Sequence, residues 1–351
     1  MMKQHTEMQK FIKKIAIASI ITSMLGALFI LPCFYILPYQ TGDLGRLGGI
    51  PFGPYDTIFK APYFLFSENI GSFDSLQNVE ILTIGDSFSQ GGIFGYQNFM
   101  GYYLNQKISN FRVDGFNSIQ TAAALIEKNK IPNCKVLIIE SVERLLLNDL
   151  GKGKSFNDNI WSRIIISGIP SIIHKEDTII RSSDLNFIKL TSYYKNKFKI
   201  LQPYRKFDLS APLFTAGEYS DKLFIYAKRL YYNDLQYTNI SDQEIQNSQR
   251  TLNEIQTLGE CHNIQIIFLV AADKYDMYYD FIVDNPYSQN PTFSYFSDFD
   301  TTFFANTKRI LLPYIKNGEK DIYRVNDTHW SPKAAKIVGE YLGKIIKNRN
   351  Q

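Results

Sequence analysis

The sequence predicts a three-layer α/β domain with a mainly parallel sheet, preceded by one N-terminal transmembrane helix. Three observations carry that expectation. Residues 79–84, 136–139 and 265–270 are short apolar runs rich in β-branched residues, the composition of strands buried on both faces. Longer segments with helical spacing of apolar residues lie between and after them, and strands that alternate with helices build a parallel sheet covered on both sides. Ahead of all this, residues 15–37 carry no charge, and at roughly 1.5 Å per residue they are long enough to cross a bilayer core.

Taken in order, residues 1–14 form a basic tail with Lys3, Lys10, Lys13 and Lys14 against Glu7. Lysines before an apolar span favour a cytoplasmic tail and an exported C-terminal domain. Leu37-Pro38-Tyr39-Gln40 offers no small-x-small cleavage site, so residues 15–37 read as an uncleaved signal anchor, with a cleaved signal peptide as the alternative. Residues 38–78 are a linker and N-terminal extension, rich in Gly and Pro over 40–63. The domain proper spans 79–351. After the first strand, residues 94–108 have helical spacing, 111–113 is a short strand candidate, and 119–128 a helix behind Ser118. The strand at 136–139 ends in Glu140-Ser141-Val142-Glu143-Arg144. Residues 150–240 are an insertion with Tyr193, Tyr194, Tyr204, Tyr231, Tyr232 and Tyr237, which fits either a glycan-stacking cap or an ordinary aromatic core. Ser241 and Glu244 have the spacing of a capping box opening a helix to about residue 258. An amphipathic helix over 332–347 closes the chain.

Composition excludes some function classes. The chain has 351 residues and a net charge of +4. The four tail lysines and Glu7 account for +3, which leaves +1 for the rest. Nucleic-acid binding therefore has no electrostatic footprint. Cys33 falls in the apolar span, and Cys134 and Cys261 each precede a strand, so two free thiols or a disulfide are both open. Their separation, without His or Cys companions at ligand spacing, offers no metal site.

The chemistry centres on Gly85-Asp86-Ser87, where the first strand breaks into a turn. A serine there points its hydroxyl out of the sheet, though an ordinary strand-end turn has the same look. A serine nucleophile needs a base, and the chain has His5, His174, His262 and His329. His5 sits in the tail, His174 in a poorly patterned region, and His262 immediately before a strand, at the edge opposite the strand C-termini. His329 stands in Asn326-Asp327-Thr328-His329-Trp330-Ser331-Pro332, where Asp327 is spaced to orient the imidazole. A polar turn capping the last helix would also explain that stretch. The Ser87 backbone N–H is the first oxyanion candidate and Gly115 the second. Arg144 and Lys274, at strand C-termini, and Trp330 beside His329 are substrate-binding candidates.

Gly85-Asp86-Ser87 and Asp327-Thr328-His329 together resemble the first and last blocks of the SGNH hydrolase superfamily. Asp327-Thr328-His329-Trp330, with residues 42–49 and 271–279, is more similar to its alginate O-acetyltransferase (AlgJ/AlgX-like) branch. The resemblance covers most of residues 41–349 in order, although 150–240 contribute little. It implies an SGNH-hydrolase-like fold, Ser87, His329 and Asp327 as a catalytic triad, and no metal or cofactor. It also implies O-acetylation of a cell-surface or periplasmic polysaccharide, with a membrane-bound O-acyltransferase partner supplying acetyl groups. A carbohydrate esterase with the same triad and a non-catalytic glycan-binding subunit are the alternatives. The chain shows no clear Gly-x-Asn-Asp block, so the resemblance assigns no oxyanion donor. The Asp-x-His segment also follows the serine here, whereas it precedes it in the alginate enzymes, so their substrate is not carried over.

Overall fold

The structure, a computed structural model, describes residues 2–36, 65–70, 74–89, 92–113, 118–151, 204–215, 222–226, 240–324 and 328–349. The chain divides into two units, residues 1–50 with 179–201, and residues 51–178 with 202–351. In the first unit the described part is one helix, α1 (Met2–Ile36). Its stretch Met8–Leu28 is long and apolar enough to cross a membrane. Phe11, Ile12, Ile20 and Leu28 are exposed along it. A helix closes its own backbone hydrogen bonds, which is what a hydrocarbon environment demands of any spanning segment.

The second unit is α/β. Its sheet has six strands in the order β1-β3-β2-β4-β7-β8, and every pairing is parallel. The strands are β1 (Ser67–Asn69), β2 (Ile81–Gly85), β3 (Ile108–Arg112), β4 (Val136–Val142), β7 (Gln265–Ala271) and β8 (Phe304–Asn306). Within 150–240 the described residues include a separate antiparallel pair, β5 (Tyr204–Asp208) and β6 (Lys222–Tyr226). Tyr193, Tyr194, Tyr231, Tyr232 and Tyr237 lie outside the described residues.

Every residue of β2, β4 and β7 is buried, which is why these strands read as continuous apolar runs rather than alternations. Alternate side chains feed two cores. Ile81, Ile138 and Leu269 join α2 (Tyr96–Leu104), the short α6 (Lys274–Tyr278), α7 (Thr307–Lys316) and α8 (Pro332–Arg349) on one face. Leu82, Ile139 and Phe268 join α3 (Ser118–Glu127), α4 (Glu143–Gly151) and α5 (Asp242–Cys261) on the other. The α2 and α8 backbones approach closely at Gly339, where an added Cβ would lie 2.5 Å from the Tyr96 carbonyl oxygen and 2.9 Å from Met100 N. Only glycine fits such an approach.

Local signals fare unevenly. The capping box forms as expected: Ser241 N donates to Glu244 Oε2 at 2.9 Å, and Glu244 N to Ser241 Oγ at 3.3 Å. The helix expected over 94–108 instead ends at Leu104, because Asn105 turns left-handed at φ 52° and Ile108 already belongs to β3. Cys134 and Cys261 are both free. Cys134 is buried, which pushes its thiol up to about 12, and Cys261 is exposed at the end of α5.

Strand order fixes where a ligand meets the fold. From β2 the chain steps out to β3 on one side, then crosses back to β4 on the other. The ends of strands at such a reversal are the usual ligand position in open α/β sheets. Ser87 follows β2 directly.

Candidate active site

β2 stops at Gly85, and Ser87–Ser89 form a single 3-10 turn. Asp86 caps that turn, its Oδ1 accepting from Phe88 N at 3.0 Å while its carbonyl accepts from Ser89 N at 3.1 Å. The arrangement leaves Ser87 exposed and its neighbours Phe88 and Ser89 buried. The Ser87 N–H makes no hydrogen bond with the described residues. That leaves the N–H available as a donor, as the oxyanion expectation requires.

The turn rests on buried polar groups. Ser89 Oγ donates to Glu140 Oε2 at 2.9 Å and lies 3.2 Å from the Tyr96 hydroxyl. The Ser89 carbonyl accepts from Gln97 Nε2 at 2.8 Å and Asn110 Nδ2 at 3.1 Å. Asn110 Oδ1 in turn accepts from Thr83 Oγ1 at 2.7 Å. Buried groups joined this way hold one geometry, since breaking any link strands a donor or acceptor away from water. Gly85 makes the room: a Cβ there would sit 2.2 Å from Ser89 Oγ and 2.5 Å from Glu140 Oε2.

His329 arrives from the far end of the chain. Tyr323 and Trp330 form an antiparallel bridge, and Arg324 N donates to the His329 carbonyl at 3.2 Å. Ser331 N bonds the Ile322 carbonyl at 2.9 Å, and Ser331 Oγ accepts from Lys333 N at 3.2 Å as α8 begins. These bonds pin Ile322–Arg324 against His329–Ser331 and leave the imidazole half-buried. His329 Nε2 lies 2.7 Å from Ser87 Oγ. Phe88 supports the ring, with centroids 4.6 Å apart. With Nδ1 protonated, Nε2 accepts the serine hydroxyl, the geometry of a base ready to activate a nucleophile.

No family model matches the sequence, and no curated protein matches it. What the site can do thus rests on its own geometry.

Ser87 and His329, 242 positions apart, are the sequence-predicted pair that the structure brings together. Asp327 and Gly115 lie outside the described residues. Arg144 and Lys274 do line the C-terminal ends of β4 and β7, but both are engaged inside the protein. Arg144 is ion-paired with Asp273, whose N–H donates to Glu143 Oε2 at 2.8 Å. Lys274 is fully buried, its Nζ donating to the Arg324 carbonyl at 2.6 Å. Lys274 thereby steadies the loop that carries His329 rather than reaching into solvent for a substrate. Trp330 is buried as well, its ring meeting Phe88 and Tyr96 edge to face at 4.8 and 6.1 Å. The indole is core material under the turn, not an exposed platform for a sugar, because the bridge to Tyr323 turns it inward.

Glu140 was the residue that sequence reasoning passed over. A carboxyl group directly after the apolar run 136–139 is costly to bury without a task, and β4 runs on through it to Val142. Among the described residues, no group of three or more His, Cys, Asp or Glu side chains is arranged to hold a metal ion.

Proposed function

We propose that this protein is a membrane-anchored, exported serine O-acyltransferase that acetylates a cell-surface or periplasmic polysaccharide. The observation that carries the reading is the 2.7 Å contact between the exposed Ser87 hydroxyl and His329 Nε2, just after β2, where the strand order reverses. Ser87 Oγ attacks the carbonyl carbon of an acyl ester as its proton passes to His329 Nε2. The donor's alcohol leaves with that proton, and the acyl group stays on Ser87 as an ester. A sugar hydroxyl then gives its proton to His329 and takes the acyl group, regenerating the free serine. The Ser87 N–H supports the oxyanion in both steps, and Asp327 is the proposed partner of Nδ1.

Supply follows from the chemistry. Activated acyl groups are made in the cytoplasm, so an exported transferase needs a membrane-bound O-acyltransferase to carry them across. The anchor is α1, with its lysines on the cytoplasmic side. A C-terminal reporter that is active only outside the cytoplasm should give signal, and activity solely from a cytoplasmic reporter would overturn the orientation.

One observation favours a carbohydrate esterase instead: Ser87 is exposed, and an acyl-serine open to water hydrolyses unless an acceptor is held better. The full-length protein in detergent, given 4-nitrophenyl acetate and sugar oligomers, separates the two. Transfer predicts acetylated oligomer rising with oligomer concentration at the expense of acetate. Acetate as the sole product at saturating oligomer assigns the site to hydrolysis.

A further inference from the structure

We propose that Glu140 is a positioning residue for the nucleophile, its buried carboxyl group holding the turn that carries Ser87. The proposal deepens the acyl-serine reading above and rests on it for its kinetic arm.

Glu140 sits in β4, next to β2, and is completely buried. One oxygen, Oε2, accepts from two groups that bracket Ser87: the Asp86 N–H at 2.9 Å and the Ser89 hydroxyl at 2.9 Å. The turn is therefore gripped immediately before and two residues after the nucleophile. Gly85 lets that carboxyl group pass beneath the strand end, since any side chain there would occupy its place. From β7, Leu269 pairs opposite Glu140 and brings no charge. The titratable groups facing it are Asp86 on the turn and Tyr96 on α2.

A glutamate kept only to fill space would not place a single oxygen on two donors of one turn. Among the described residues its other oxygen, Oε1, has no hydrogen-bond partner, so an ionised carboxylate here would be poorly compensated. Burial first, and the nearby Asp86 carboxylate second, raise its pKa well above the ordinary 4.5. The neutral acid keeps its accepting oxygen while avoiding repulsion against Asp86. An amide has the same shape and the same neutral acceptor, so Glu140→Gln preserves the grip, whereas Glu140→Leu abolishes it.

The test compares the labelling rate of Ser87 by a fluorophosphonate probe in full-length wild type, E140Q and E140L, together with crystal structures of all three. E140Q should label within about 3-fold of wild type. E140L should label 10- to 100-fold more slowly, as expected for a nucleophile displaced by about 1 Å, with the Ser87–His329 separation visibly longer. Equal rates and an unchanged separation in E140L would overturn the proposal. Should E140L not fold, Ser89→Ala decides, because it removes one of the two donors that Glu140 holds: labelling should slow several-fold with a longer Ser87–His329 separation, and an unchanged rate and separation count against the grip. Should wild type itself take up no probe, the acyl-serine reading fails. The crystallographic separation in E140L against wild type then still decides whether Glu140 positions Ser87.

Discussion

Replacing Ser87 with alanine should cut acyl turnover by roughly 10⁴- to 10⁶-fold while leaving the protein folded. The size follows from a nucleophile and base acting as one unit, so that losing either removes the covalent route entirely. Stability should move little, because Ser87 is exposed and, among the described residues, its hydroxyl bonds His329 alone; surface changes of this kind usually stay within about 0.5 kcal/mol. His329→Ala should match the kinetic loss, and it also removes the ring against which Phe88 packs. Asp327→Asn, predicted from the sequence spacing, should cost roughly 10⁴-fold by favouring the wrong imidazole tautomer. Release of 4-nitrophenol from the acetate ester, with circular dichroism as the folding control, measures all three. An S87A protein that keeps a tenth of wild-type turnover would remove Ser87 from the mechanism.

How much of this was legible beforehand depended on how far apart the interacting residues lie. β2, β4 and β7 announce themselves because both faces are covered and the apolar run is unbroken. Ser87 and His329 were visible because each sits in a short motif whose local chemistry is recognisable before its partner is known. The edge strands were not visible: Ser67–Asn69 and Phe304–Asn306 have three residues each, too few for any period to show. β3 showed only its end, as the candidate at 111–113, for a different reason. It buries Ser109 and Asn110, and polar residues inside a strand make sense only once Thr83, Gln97 and the Ser89 carbonyl are seen around them. The same holds for Trp330. Its neighbour in sequence is the candidate base, which suggests a role in binding, yet the bridge to Tyr323 turns alternate residues to opposite sides and sends the indole inward.

Arg144 and Lys274 were recognised as residues at the ligand edge, but their partners could not be read from the sequence. Asp273 is 129 positions from Arg144, and nothing local pairs them. That pairing leads to the second large effect: Arg144→Ala should destabilise the protein by about 3–5 kcal/mol at pH 7. Glu143, Asp273 and Asp276 are all buried where β4 and β7 end. Arg144 is ion-paired with Asp273, and Lys308 lies 2.7 Å from Asp276. Burial already raises the Asp276 pKa, and Lys308 only partly offsets it. Removing one cation from so tight a set leaves a carboxylate that has neither water nor a counter-charge. The pH dependence follows from the sign. A stranded carboxyl group has its folded pKa raised, so the variant is best off below the ordinary aspartate range of about 4 and loses stability as pH rises through the folded value. The gap between R144A and wild type should therefore widen from pH 4.5 to pH 8. An apolar pair, R144M with D273L, should recover part of the loss, since it removes both buried charges together. Equilibrium urea unfolding of the full chain in detergent at the two pH values gives both numbers. A deficit below about 1 kcal/mol, or one that does not change with pH, would mean that Arg144 is a bystander to the buried carboxylates.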